Sequence, residues 1–295
     1  MDQDLYAWSN LFERPPLTLP GGAKVVVMLT IPLEFFPLNP TGKPFRAPGS
    51  MVTPYPDFRH YTTRDYGNRV GVFRLLKLLD RYGLKANVPI NASLAEKYPT
   101  LLQEITAAGH EVVAHGIDMD TLHYGGMDTE TERKQITDCL QTLREMSGQP
   151  VSGWMSPAFS ESFETPALAA AAGCTYICDW ANDDLPYPLN TPNGALWAMP
   201  VSQEISDRRI IIECHQTEDS FVTQACDQFD ALYAEAERFG PRVFSLTLTP
   251  YISGLPFRIK AVEKILKYTS SKKGIVNLCG SEFVTVLTQT YIARG

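Results

Sequence analysis

Residues 23–31 read AKVVVMLTI, a run of apolar, largely β-branched side chains without the polar alternation of a half-exposed strand. A segment this continuous belongs in the interior of a parallel sheet, covered on both faces. Parallel neighbours in turn need crossover connections, usually helices, and the rest of the chain supplies them. Residues 65–82 (DYGNRVGVFRLLKLLDRY) place Val70, Phe73, Leu76 and Leu79 at helical spacing, with Gly83 as the stop. Short strands are expected at 86–90, 111–114, 151–155, 176–178, 209–213, 243–248 and 275–278. Helices are expected between and after them at 92–108, 129–146, 166–172, 224–239, 257–269 and 281–293. This alternation runs through all 295 residues with no linker composition, so one α/β domain over 1–295 is expected, closed or nearly closed as a barrel. An irregular arm rich in proline and glycine occupies about residues 1–22, and 32–60 carries seven prolines with little periodicity. Long loops of that kind inside a compact domain are usually functional.

Composition narrows the class. A net charge of −7 gives no basic footprint for nucleic acid. No apolar run reaches the roughly 18 residues of a membrane span, and the polar start Met-Asp-Gln-Asp does not read as a signal peptide. The cysteines at 139, 174, 178, 214, 226 and 279 form no CxxC pair and read as buried thiols. The expectation is a cytoplasmic enzyme with a small-molecule substrate and no nucleic-acid or membrane partner.

In a βα barrel the working residues sit at the C-terminal ends of strands. Those ends carry Glu34, Asn91, His115, Met155, Asp179, His215 and Thr249. Glu34 follows the most hydrophobic strand, where partial burial suits a carboxylate to general-base work; it could equally cap a turn. His115, in VVAHGID, could serve as metal ligand, acid or base, or simply bond a neighbouring loop. His123 and His215 are weaker candidates, while His110 and His60 read as structural or solvated. Asp183-Asp184 is as much a turn as a site. Trp154, Trp180 and Phe35 are expected among the pocket walls, suiting a flat ring better than a hydrated polymer.

Seven segments together carry a resemblance. They are LFERPPLTLPGGAKVVV, DYGNRVGVFRLLKLLDRYGLKANVPIN, AAGHEVVAHG, SGQPVSGWMSPAFSES, AAGCTYICDWANDDLPY, DQFDALYAEA and LTLTPYISGLPFRI, running in order from about residue 11 to 285. In this order they resemble the polysaccharide deacetylase superfamily (carbohydrate esterase family 4), in its allantoinase-like branch. The resemblance implies a distorted (β/α)7 barrel of the TIM type and hydrolysis of a C–N bond. That bond is an N-acetyl amide in the deacetylases and a ureide or imide ring in the allantoinase-like and cyclic imidase branches. The departures are specific. The family's paired acids read Glu34-Phe35, so the base-like acid stays and the metal-ligand position is apolar. Its two histidines four apart read His115 and Met119, and a thioether is a poor ligand for a hard or borderline ion. The arginine that orients the base reads Met155, and the position of the late acid histidine reads Thr249.

The resulting expectation is a metal-independent amidohydrolase for a small cyclic amide, imide or ureide, with no cofactor. Glu34 and His115 are its catalytic residues, and Asn91, Phe35, Trp154, Trp180, Asp179, His215, Thr249 and His123 contact substrate. One alternative is a metal-dependent N-deacetylase of amino sugars, with a divalent ion such as zinc. The other is a non-hydrolytic relative, a binding protein or a recruited cyclase or lyase. By analogy with the branch, a homo-oligomer is expected, a tetramer in which neighbours cover Tyr6, Trp8, Leu11 and Phe12.

Overall fold

The computed structural model describes residues 3–10, 14, 16–41 and 54–292, so Leu11 and Phe12 lie outside the described residues. The strands are β1 (Val25–Thr30), β2 (Asn87–Ile90), β3 (Glu111–Ala114), β4 (Gly153–Trp154), β5 (Tyr176–Ile177), β6 (Tyr187–Leu189), β7 (Leu196–Ala198), β8 (Arg242–Thr247) and β9 (Ile275–Asn277). They form one curled sheet in the order β6-β7-β5-β4-β3-β2-β1-β8, with β9 also paired to β1. Among the described residues only the β6–β7 pair is antiparallel. Around it lie α1 (Phe58–Tyr66), α2 (Val72–Arg81), α3 (Ala92–Lys97), α4 (Pro99–Ala107), α5 (Thr129–Ser147), α6 (Thr165–Ala171), α7 (Glu218–Phe239), α8 (Pro250–Ser253), α9 (Ile259–Ser270) and α10 (Gly280–Ile292). This is the α/β barrel architecture expected from the strand–helix alternation.

Every residue of β1 is buried, and the pleat divides them. Val25, Val27 and Leu29 join the core beneath the helices, whereas Val26 and Met28 join Val113, Tyr176 and Val243 in a second, inner core. Helix α10 contributes Phe283 and Leu287 to that inner core and so plugs one end of the barrel. Its first turn is anchored by Glu111, whose carboxylate accepts the Ser281 N–H and the Tyr176 hydroxyl, the latter at 2.6 Å. One edge of β1 is shared between two neighbours. Residues Val25–Val27 pair with β9, and beyond them Ile31 and Leu33 bond β2. Asn277 fills the fork, donating to the Val27 and Lys85 carbonyls and accepting the Lys85 N–H.

The barrel closes imperfectly. Between β7 and β8 the described residues form no ladder, only a bridge from Ser206 to Thr247. The cavity lined by Glu34 and His115 opens at this seam.

Three expectations are corrected. Residues 209–213 are not a strand but part of a π-helical stretch, Arg208–Glu213. The Ser206 hydroxyl accepts the Arg209 N–H at 3.1 Å and its carbonyl accepts the Ile210 N–H at 3.1 Å, which starts the helical turn. The single helix at 92–108 is two, because Pro99 disfavours the helical conformation at Tyr98 (φ −130°, ψ 62°). Residues 187–198 hold β6 and β7, which pass unmarked in a segment broken by prolines.

Gly116, just after β3, has φ +68°, and a Cβ there would lie 2.5 Å from Pro157 Cγ. Gly125 has no such constraint and open space around it. We therefore expect Gly116→Ala to cost about 1–3 kcal/mol and Gly125→Ala to stay within about 0.5 kcal/mol, read from urea midpoints. Equal midpoints for the two variants would contradict this packing.

Candidate active site

Glu34 reaches its place because its backbone is held on both sides. The Leu33 N–H donates to Pro89 O at 2.7 Å, and the Leu33 carbonyl accepts the Asn91 N–H at 3.3 Å. The Phe35 N–H donates to Asn91 Oδ1 at 2.7 Å, and Asn68 Nδ2 donates to the Glu34 carbonyl at 3.0 Å. The Glu34 side chain then lines a cavity of about 470 Å³, with Oε2 buried and without a hydrogen-bond partner among the described residues.

His115 enters the same cavity from the end of β3. Its N–H donates to Ile90 O at 3.2 Å, and its carbonyl accepts from Asn91 Nδ2. Ring Nδ1 lies 2.7 Å from the Met155 carbonyl, which can only accept. The proton is therefore assigned to Nδ1, leaving Nε2 as a buried acceptor that no group among the described residues meets. Burial lowers the His115 pKa, against the opposing pull of the Glu34 carboxylate and the Met155 carbonyl. The ring is accordingly neutral at pH 7.

One wall of the cavity is the turn Pro157–Phe159, in which Ala158 (φ 57°) and Phe159 (φ 55°) are both left-handed. Such conformations are costly for residues other than glycine and persist only where surroundings impose them. The opposite wall comes from the seam: Ser202, Gln203, Glu204, Ser206, Arg208, Arg209 and Glu213, with Thr247 and Thr249 of the β8 end. Its charges are paired, Arg208 with Glu213 at 3.4 Å and Arg209 with Glu204 at 3.3 Å and Glu213 at 3.1 Å. Behind Thr249 lies Asp207, fully buried, whose Oδ2 accepts the Thr249 N–H at 2.7 Å. Burial pushes its pKa up to about 6, despite support from the Ser253 and Thr249 hydroxyls and the Thr249 and Arg208 amides. The Tyr251 phenol is pushed up to about 12 by burial, with Glu34 and Asp207 adding to the shift, so it remains a donor.

The structure thus brings Glu34, His115 and Thr249 to one cavity, with Asn91 bracing two of them from behind. It does not bring the expected aromatic walls. Trp154 is buried, donating Nε1 to Ser156 Oγ at 2.9 Å and meeting His123 edge-on at 5.6 Å. Trp180 donates to Glu161 at 2.6 Å and packs on Tyr6, while the Phe35 ring sits 5.1 Å from the Lys97 ammonium in a smaller cleft. Phe159 supplies the aromatic wall instead. His123 is consumed by Glu132 at 3.0 Å. Asp179 lies behind Ser156, whose N–H it accepts at 2.7 Å. His215 is exposed beyond the π-helical stretch, because the strand expected to aim it does not exist. Arg208, Asp207 and Tyr251 were missed; the legible signal was the charged run Asp207-Arg208-Arg209 directly before three isoleucines.

The resemblance assigns metal-ligand positions to Phe35, His115 and Met119, and two of these are adjacent, the Met119 N–H donating to the Phe35 carbonyl at 2.9 Å. Their side chains are a phenyl ring, an imidazole and a thioether, which do not fit a divalent site needing about three nitrogen, oxygen or thiolate donors. Among the described residues, no three His, Cys, Asp or Glu side chains converge to hold an ion.

The curled parallel sheet presents a carboxylate from the end of β1 and an imidazole from the end of β3, with β2 between them, a layout that can serve an active site. Comparison gives the kinship. Residues 54–177 match the polysaccharide deacetylase family model. A putative polysaccharide deacetylase of Schizosaccharomyces pombe is 27% identical over 232 residues, covering 72% of this chain and 70% of the relative. A peptidoglycan deacetylase of Helicobacter pylori is 23% identical over 244 residues, covering 71% and 81%. The crystal structure of the PuuE allantoinase superposes with a TM-score of 0.85 at 25% identity, covering 95% of each chain. Over these stretches the chain is similar to polysaccharide deacetylases, and its fold to that of an allantoinase.

Asn91 is the residue whose loss should be felt most at the site. Asn91→Ala leaves the Phe35 N–H and the His115 carbonyl without their partner, at roughly 1–3 kcal/mol for each buried group left unpaired. The expected outcome is a drop in urea midpoint of that size. An unchanged midpoint would show that the amide is not a brace.

Proposed function

We propose that this protein hydrolyses a non-peptide C–N bond in a small cyclic amide, imide or ureide, without a metal ion. The observation that carries the reading is the pair of unpartnered buried acceptors, Glu34 Oε2 and His115 Nε2, on one cavity. Two acceptors that face a common space can both be satisfied by one water, which donates one hydrogen to each. The ligand positions occupied by Phe35 and Met119 favour this over a metal-bound water. The likeness in fold to an allantoinase, over almost the whole chain, supports the ureide branch.

In this reading Glu34 is the general base and His115 fixes the water's orientation. The water oxygen attacks the substrate carbonyl carbon as its proton passes to Glu34. The charge that develops on the carbonyl oxygen is met by the Arg208 guanidinium, which lines the same cavity. Collapse breaks the C–N bond, and the proton held by Glu34 passes to the leaving nitrogen. The product carries a new carboxyl group, for which Arg208 is a natural partner.

The test is ring opening of a panel of cyclic ureides, imides and lactams. Glu34→Gln should lower kcat by roughly 10²–10⁴-fold, the usual contribution of a positioned base. Chelator treatment should leave the rate unchanged. Because burial lowers the His115 pKa, the neutral ring persists below its ordinary titration range. The acid limb of the rate profile assigned to His115 should therefore fall below pH 6.5, with rate lost as pH drops through it. Activity abolished by chelation and restored by zinc would replace this reading with that of an amino-sugar N-deacetylase. The curated relatives' names, and a second cavity of about 330 Å³ that shares Ser202, Gln203 and Glu204 with the first, would favour that larger substrate.

A further inference from the structure

Behind the cavity wall, Glu161 Oε1 and Asp179 Oδ2 are both buried, and no donor group among the described residues is directed at either. Their sister oxygens are committed: Asp179 Oδ1 to the Ser156 N–H at 2.7 Å, and Glu161 Oε2 to the Trp180 indole N–H at 2.6 Å. The two free oxygens belong to carboxyl groups in hydrogen-bonding contact with each other. Two bare carboxylate oxygens cannot be buried against one another without a proton or a cation between them.

The surroundings supply no cation among the described residues. From α5 comes Glu132, already bonded by His123 and by the Ser162 and Thr165 hydroxyls. From beside β5 comes the Cys178 thiol, itself held protonated by burial. From β6 comes the Tyr187 phenol, which donates to Asn182. Burial drives the Asp179 carboxyl well above the usual carboxylate range, with the Glu161 charge adding to the shift, and burial raises Glu161 against the hydrogen bonds from Asp179 and Trp180.

We infer that Asp179 and Glu161 hold a single proton between them, and that this carboxyl–carboxylate bond clasps the cavity wall to the end of β5. The clasp brackets the left-handed turn: Ser156, bonded by Asp179, precedes it, and Glu161 follows it by two residues. Ala158 and Phe159 line the cavity from inside that bracket, so Asp179 and Glu161 are positioning residues for the wall. The sign follows from the raised acidity constant. The folded state holds the proton in a range where the unfolded chain has lost it. The clasp's contribution is complete below the ordinary carboxyl range, near pH 4, and is lost as pH rises through the elevated folded value.

The experiment needs no substrate, so its outcome is separate from that of the proposed hydrolysis. The indole ¹H–¹⁵N resonance of Trp180, assigned with Trp180→Phe, is followed against pH in the full chain. It should show one titration with its midpoint above that of exposed carboxylates. In Asp179→Asn and in Glu161→Gln an amide N–H replaces the shared proton, so both variants should fold and the Trp180 signal should stay flat over the same range. Three results would overturn the inference: a flat wild-type signal, a midpoint in the ordinary range near 4, or a titration that survives in both variants. Collapse of both amide variants would also count against it, since each retains a donor where the proton is placed.

Discussion

One side-chain amide holds the site together. Asn91 sits fully buried at the end of β2, between the strands that deliver Glu34 and His115. Its oxygen takes the N–H of Phe35 and its nitrogen gives to the carbonyl of His115, so one residue fixes the backbone beside each candidate catalytic group. An aspartate could take the first bond but not give the second, and an alanine could do neither. The loop after β3 then returns the support: the Ala92 and Ser93 N–H groups, at the start of α3, donate to the Gly116 and Ile117 carbonyls at 3.0 Å. Three adjacent strand ends are in this way cross-linked by backbone and amide bonds.

That arrangement explains which part of the site the sequence discloses. Glu34 and His115 are readable because they directly follow buried apolar runs, and the C-terminal ends of parallel strands face the working end of a barrel. The strands themselves are readable for the same reason, since β1 is apolar on both faces. Asn91 was placed on the same list as a substrate contact, yet it acts on the backbone; a strand-end position alone does not tell a brace from a ligand. Trp154 and Trp180 were misplaced because an aromatic near a strand end has two sides to choose between. Each indole N–H found a buried oxygen partner away from the cavity, Ser156 for one and Glu161 for the other.

The opposite wall was hidden for a different reason. Arg-Arg-Ile-Ile-Ile-Glu reads equally well as a buried strand or as a helical turn with two covered faces, and periodicity over so few residues cannot decide. The deciding bonds come from Ser206, which starts the turn, and from Asp207, whose carboxylate ties it to Thr249 forty-two positions later. Those are tertiary facts. The consequence is that the sheet fails to close between β7 and β8, and the seam lined by Arg208 and Glu204 becomes the cavity's second wall.

The central claim is that Glu34 and His115 act on one water as a unit. A double-mutant cycle on kcat/KM for ring opening, comparing Glu34→Gln, His115→Gln and the double variant, tests it most directly. Groups that work together are grossly non-additive, so the double variant should lose about as much as the worse single variant. Losses that multiply, or a His115→Gln enzyme that keeps the wild-type rate, would contradict it.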